Sequence, residues 1–230
     1  MSEHGDWAKA KEQDLLDAAL RLAPRLGWSW ALVRQAGRDV GLSAPEAELL
    51  LPEGPRDLAA LLSQRLDRDA IAALGGADPS TMKIRERIRR SVDAWLASAG
   101  DHEAAARRWT GFLALPGNLA LGLRLAWGSA DTLWRWAGDT ATDENHYSKR
   151  ALLAEILISG LAVRLSAGPA ACERHVEQRI AGVMAFEKWK AGARRPSDFA
   201  RRGASFLGRL RYGRPASTDQ PPLEPSSTEF

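Results

Sequence analysis

Apolar residues recur along most of this chain at a period near 3.6, and nowhere is there a convincing run of the strict alternation that marks a half-buried strand. Leu15, Leu16, Ala19, Leu22 and Leu26 share one face of a helix predicted over 8–26, which Gly27 ends. Ser29 is placed to cap a second helix reaching 40. After Gly41 and Leu42, Ser43 is placed to cap a short third helix over 44–51. Pro52-Glu53-Gly54-Pro55 closes that segment and a longer helix runs over 55–74. Beyond the linker Gly75-Gly76-Ala77-Asp78-Pro79, five more helices are predicted over 82–99, 101–115, 117–137, 142–165 and 169–190. Pro116-Gly117 and Ser166-Ala167-Gly168-Pro169 supply breaks between them.

The chain is therefore read as all-α. Helix, helix, tight glycine turn, short helix and then a longer one reproduces the layout of a TetR-type helix-turn-helix unit. A helix that enters the major groove needs cations and donors, because phosphates must be neutralised and base acceptors met. The helix over 44–51 offers Glu46 and Glu48 and no cation. Leu49, Leu50 and Leu51 are read as packing residues, and no DNA is expected as a partner. The alternative is a TetR-type, lipid-responsive transcription regulator with phosphate contacts from Arg34 and Arg38.

Two segments of the second half stand out. The stretch over 119–136 carries Leu, Ala and Trp on nearly every face, and a helix that is apolar all round is normally buried. Gly138 ends it. A polar loop comes next, in which Thr142 or Asp143 can cap the following helix, and the first turn of that helix is expected to present Asn145, His146, Tyr147 and Arg150 to solvent. The string Trp134, Ala137, Gly138, Asp139, Thr142, Asp143, Asn145, Tyr147, Arg150 and Ala151 resembles the signature of the lipid-binding auxiliary proteins of ubiquinone (coenzyme Q) biosynthesis. Glu144 and His146 stand where that family usually has aromatics. The similarity extends over about 12–190.

The resemblance implies a TetR-like fold that does not bind DNA, a cavity for an isoprenoid quinone or other lipid, and a partner, the di-iron demethoxyubiquinone hydroxylase. It assigns docking of that hydroxylase, or of other ubiquinone-biosynthesis enzymes, to Asp139, Asp143, Asn145, His146, Tyr147 and Arg150. Asp139 and Asp143 are also read as holding the loop in shape. For the lipid, the large side chains of the second half are candidates: Trp95, Trp109, Phe112, Leu119, Leu123, Trp127 and Trp134. A dry packed core is the other reading of those aromatics. Ile156, Leu157, Ile158, Leu161 and Val163 carry more apolar surface than one bundle face needs, so a homodimer through the last two helices is expected.

Charge changes the picture only at the C-terminus. Residues 194–230 contain seven Arg and four acidic residues, which accounts for the whole net charge of +3. Ser197 can cap a further helix to about 212. On it Phe199, Gly203, Phe206, Leu207 and Leu210 share a sector of roughly 100° while Arg201, Arg202, Arg209 and Arg211 occupy the flanks and the far side, a pattern suited to an anionic membrane surface. The organisation expected is a degenerate helix-turn-helix unit over 1–76, a lipid-binding and dimerisation bundle over 77–192, a membrane helix over 193–213 and a disordered tail over 214–230.

The single cysteine, Cys172, permits no internal disulfide and favours a reducing compartment. No run reaches the roughly 18 apolar residues of a membrane span, and 1–11 has no apolar core for a secretory signal. The location expected is the bacterial cytoplasm, peripheral on the inner membrane. Neither a phosphate-binding glycine loop nor a CxxC pair is present, and Glu144 and His146 sit two apart, on different helical faces. No catalytic residue, metal site or cofactor is expected, and the function read is non-catalytic: taking up an isoprenoid quinone precursor at the membrane and presenting it to a hydroxylase.

Overall fold

The computed structural model describes residues 3–139 and 144–193, with side chains from Trp7 to Asp139 and from Tyr147 to Gly182. The described residues form helices α1 (Glu3–Leu26), α2 (Trp30–Asp39), α3 (Ala44–Leu50), α4 (Pro55–Ala73), α5 (Ile84–Gly100), α6 (Glu103–Leu113), α7 (Leu119–Trp136), α8 (Glu144–Ala167) and α9 (Pro169–Ala193). Single 3-10 turns at Pro79–Thr81 and Pro116–Asn118 precede α5 and α7, and no strand occurs among the described residues. This is the expected all-α, TetR-like arrangement, with most boundaries within two residues of those read from periodicity. The basic amphipathic segment with Phe199, Arg201, Arg202, Phe206, Leu207, Arg209 and Leu210 lies outside the described residues, as does the tail after it.

The first four helices form a tightly joined corner. Ser29 accepts a hydrogen bond from the Leu32 N–H at the start of α2. Ser43 and Glu46 form a reciprocal capping box on α3, in which Glu46 Oε2 accepts from the Ser43 N–H at 2.8 Å. Trp28 donates its indole N–H to the Pro55 carbonyl at 2.9 Å and so ties the α1–α2 turn to the start of α4. Gly54 has φ +56, and a Cβ built on it would lie 2.5 Å from the Trp30 ring. Only glycine meets both demands. Leu51 is buried and Leu50 partly so, but Leu49 is 80% exposed, which corrects its reading as a packing residue. Seven residues make barely two turns, so α3 buries only one narrow stripe, with Ala47 at its centre.

One contiguous apolar core links α1 to α9 within residues 1–184. Leu58, Leu62, Leu66 and Ala70 of α4 lie at its centre, between α1 on one side and α5 and α7 on the other. Tryptophan supplies polar links across it. Trp95 of α5 donates to Asp67 of α4 at 2.8 Å, and Trp109 of α6 donates to the Ala59 carbonyl at 3.2 Å. Such rings bury a large apolar area while their N–H keeps a partner. α9 joins through buried Cys172, Val176 and Ile180, and through Glu177, which pairs with Arg85 and Arg89 of α5. Of residues 185–230, the described part is helical and ends at Ala193.

Candidate lipid cavity and the α7–α8 junction

α7 behaves differently along its length. Its second half buries Ser129, Ala130 and Leu133, but Leu119 and Leu123 of its first half are 52% and 55% exposed. The expectation that the whole helix is buried is thereby corrected. The reason is a cavity of about 430 Å³ between α4, α5, α6, α7 and α8, for which the first half of α7 forms one wall. Trp95 and Trp109 close its inner end and are nearly fully buried; Leu119, Leu123 and Ile158 stand at its exposed side. Leu113, Leu125, Leu157, Leu161 and Leu165 supply most of the remaining apolar wall, with Arg107, Thr110 and Ser166 as polar members.

Four of the seven residues read as lipid-binding, Trp95, Trp109, Leu119 and Leu123, therefore line one space. The other three do not line it. Phe112 packs on the core, Trp134 donates its N–H to the Lys149 carbonyl at 3.0 Å, and Trp127 meets Tyr147 with ring centroids 6.2 Å apart. The sequence pattern does not reveal the α8 contribution, because its leucines and isoleucines read equally well as a dimer face. Ile156, Leu157 and Leu161 are buried within the chain's own core and Val163 packs against it, leaving only Ile158 of these substantially exposed. The apolar surplus that suggests a homodimer is thus largely used internally.

At its C-terminal end α7 stops on a Schellman motif. Gly138, at φ +86, sends its N–H to the Arg135 carbonyl, and the Asp139 N–H reaches the Trp134 carbonyl. Arg87 of α5 donates to the Ala137 carbonyl at 2.8 Å and covers the helix end. Arg150 of α8 then joins the two helices: its Nε donates to Asp131 at 2.6 Å and its Nη1 to Asp139 at 3.1 Å. Lys149 donates to the other oxygen of Asp139 at 2.7 Å and lies 5.4 Å from the centre of the Trp134 ring.

Arg150 is only 2% exposed, so the expectation that the first turn of α8 presents it to solvent is corrected. The Asp139 side chain is 7% exposed. Both side chains are engaged within the junction. Tyr147 is 65% exposed. The expected cap from Thr142 or Asp143 and the side chains of Asn145 and His146 fall outside the described residues.

Burial pushes the carboxyls of Asp131 and Asp139 up, but hydrogen bonds outweigh it. Arg150 and Arg135 hold Asp131, and Lys149 and Arg150 hold Asp139, below the ordinary carboxylate range. Both aspartates are thus anions over the physiological range, and their chemistry is that of ion pairing. No group of three or more His, Cys, Asp or Glu side chains converges as a metal site among the described residues, and no helix there is long and apolar enough to cross a membrane.

The segment that forms this wall and junction also matches known proteins. The family model described as COQ9 matches residues 119–187, which covers α7, the loop, α8 and most of α9. Over that segment the chain is similar to the COQ9 family. It is 29% identical over 150 residues to the human "Ubiquinone biosynthesis protein COQ9, mitochondrial", covering 62% of this chain and 46% of that protein. With the Bos taurus protein of the same name it shares 28% identity over 181 residues, 74% of this chain and 56% of the relative. A Xenopus laevis protein, COQ9-B, is 26% identical over 200 residues, 80% of this chain and 66% of its own. The chain thus spans about half the length of the first two COQ9 relatives.

Proposed function

We propose that this chain is a COQ9-like, non-catalytic accessory protein of ubiquinone biosynthesis, which holds an isoprenoid quinone precursor in the α4–α8 cavity and presents it to a hydroxylase. The observation that carries the reading is the cavity. It is apolar over most of its wall, open at one side, and bounded in large part by the matched segment 119–187. Pockets of a few hundred Å³ with apolar walls and few polar groups suit apolar ligands. At roughly 30 Å³ for a water-sized group, 430 Å³ accommodates on the order of 14 non-hydrogen atoms, so one end of a long lipid fits and the rest passes the mouth.

Tyr147 and Trp127, exposed and partly exposed beside the junction, form the surface proposed to meet the enzyme, with Asn145 and His146 adjacent in sequence. The basic segment with Arg201, Arg202 and Arg209 is proposed to hold the protein on an anionic membrane, the inner membrane of a bacterium, and α8 with α9 to pair two copies. The relatives' names place those proteins in mitochondria and in ubiquinone biosynthesis, which supports the pathway. Lipids that copurify with the full chain, extracted and identified by mass spectrometry, test the proposal. Isoprenoid quinones or their precursors, enriched over a control protein, are expected; a protein that carries none would contradict it.

The helix-turn-helix corner favours a second reading, a lipid-responsive regulator. Against it, α3 exposes Glu46, Glu48 and Leu49, and Glu46 is held as an anion by Ser43. A mobility-shift assay with the protein's own upstream DNA decides it, since only the regulator reading requires a sequence-specific complex.

A further inference from the structure

The inner end of the cavity is not wholly apolar. Ser63 of α4 and Ser129 of α7 both line it, and they are 4% and 0% exposed. Their hydroxyl oxygens are 3.4 Å apart, well beyond the usual 2.7–2.8 Å of an O–H···O bond. The Asp67 carboxylate accepts from Trp95 at 2.8 Å and stands near Ser129, and burial pushes it above the ordinary carboxylate range. Among the described residues, Ser63 meets a polar side chain only at that long distance from Ser129. The indole N–H groups of Trp95 and Trp109 are both engaged, with Asp67 and with the Ala59 carbonyl, and are not available to a ligand. A hydroxyl buried with a poor partner is destabilising, and alanine at position 63 would avoid it.

We infer that Ser63 and Ser129 form a hydrogen-bonding subsite at the closed end of the cavity, which takes the oxygen of a neutral isoprenoid amphiphile, so that the ligand enters oxygen first. This deepens the lipid-carrier reading and rests on it. The Ser63 hydroxyl donates to a ligand carbonyl, hydroxyl or methoxy oxygen, and the hydrocarbon extends along Leu157, Leu161 and Leu123 to the mouth. Burial already disfavours the charged form of Asp67 near Ser129, and a carboxylate or phosphate head entering the same end would meet the same poor solvation. The cation of the wall, Arg107, stands on its exposed part and is already paired with Glu103 at 2.7 Å. The subsite therefore selects against anionic heads.

The test is a titration of the full chain with three terpenes of one skeleton: geraniol, an alcohol; myrcene, a hydrocarbon; and geranic acid, a carboxylate. The wild-type chain is compared with Ser63→Ala and with Ser63→Ala/Ser129→Ala. Because one net hydrogen bond corresponds to about a fivefold change in affinity, geraniol is expected to bind about fivefold more weakly to the single variant and to weaken further in the double one. Myrcene should be unaffected and geranic acid the weakest ligand of the wild type. The single variant leaves Ser129 in place and keeps the test usable if the double variant folds poorly. Unchanged geraniol binding, an equal loss of geraniol and myrcene, or a preference for geranic acid would overturn the subsite while leaving the cavity a lipid site. Failure of all three to bind the wild-type chain would instead overturn the lipid reading itself.

Discussion

The two halves of α7 differ in composition and in role: Arg124 is the one polar side chain from Leu119 to Ala126, whereas Ser129, Asp131, Thr132, Arg135 and Asp139 punctuate the stretch that follows. From Leu119 to Ala126 the helix stands as one wall of an open cavity, with Leu119 and Leu123 more than half exposed. From Ser129 to Asp139 the chain is held by a buried ion cluster, a Schellman stop and an arginine on its last carbonyls. The difference lies in the part of α8 that each half faces. Where α8 supplies Arg150, the helix has charge to answer and is fixed. Where α8 supplies Leu157, Ile158, Leu161, Ala162 and Leu165, it faces a void. Rigid support next to a receptive wall is a sound basis for a carrier, since the wall can open without loosening the junction.

Arg150→Ala should have the largest effect. It leaves Asp131 and Asp139 without their shared cation, but each keeps a second one, Arg135 or Lys149, so the loss falls short of an uncompensated buried pair and is about 2–3 kcal/mol. Denaturant unfolding should show a loss of that order; a loss below about 1 kcal/mol would mean that the junction is not held by this cluster. A related test is pH. Asp131 and Asp139 have folded-state pKa values below their unfolded ones, so their contribution is complete above an unfolded value of about 4 and is lost as pH falls through the lower folded values. Stability of the wild type should therefore fall below about pH 4, and Asp139→Asn should flatten that acid limb at the expense of neutral stability. An acid limb identical in the variant would assign the loss to other carboxylates.

Gly138→Ala comes next. At φ +86 a Cβ is strained whatever the space, and it would also lie 3.3 Å from the Arg87 guanidinium. A loss of about 1–2 kcal/mol is expected in the same unfolding assay. Leu119→Ser and Leu123→Ser should change stability least, within about 0.5 kcal/mol, because both side chains are largely solvated. They should nonetheless reduce retained lipid. If they destabilise as much as Gly138→Ala, the first half of α7 is core and the contrast along the helix fails.

The helices are legible in the sequence because each depends on its own residues: the 3.6 period, Ser29 and Ser43 as caps, Gly138 as a stop. Four residues of the cavity wall, Trp95, Trp109, Leu119 and Leu123, are legible for a weaker reason, that large apolar side chains on a bundle helix must line something. The features that escape are set by partners distant in the chain. Arg150 looks like one more polar residue in the first turn of α8 until Asp131, 19 residues earlier, and Asp139, 11 residues earlier, are folded against it. Leu49 looks like packing because its neighbours Leu50 and Leu51 pack, yet α3 is too short to bury a second face. Ser63 carries a faint signal, a hydroxyl at helical spacing among Ala59, Leu62, Leu66 and Ala70, but nothing in the sequence places it opposite Ser129.

The cavity is the central claim, and blocking it tests that claim most directly. Ala162 lines its exposed side, where a larger side chain costs little. Lipid extracted from the wild type, from Ala162→Trp and from Tyr147→Ala, all purified alike and quantified by mass spectrometry, should be abundant in the first and third and depleted severalfold in the second. Equal lipid in Ala162→Trp and the wild type, with the fold intact, would show that the lipid is not carried between α4 and α8.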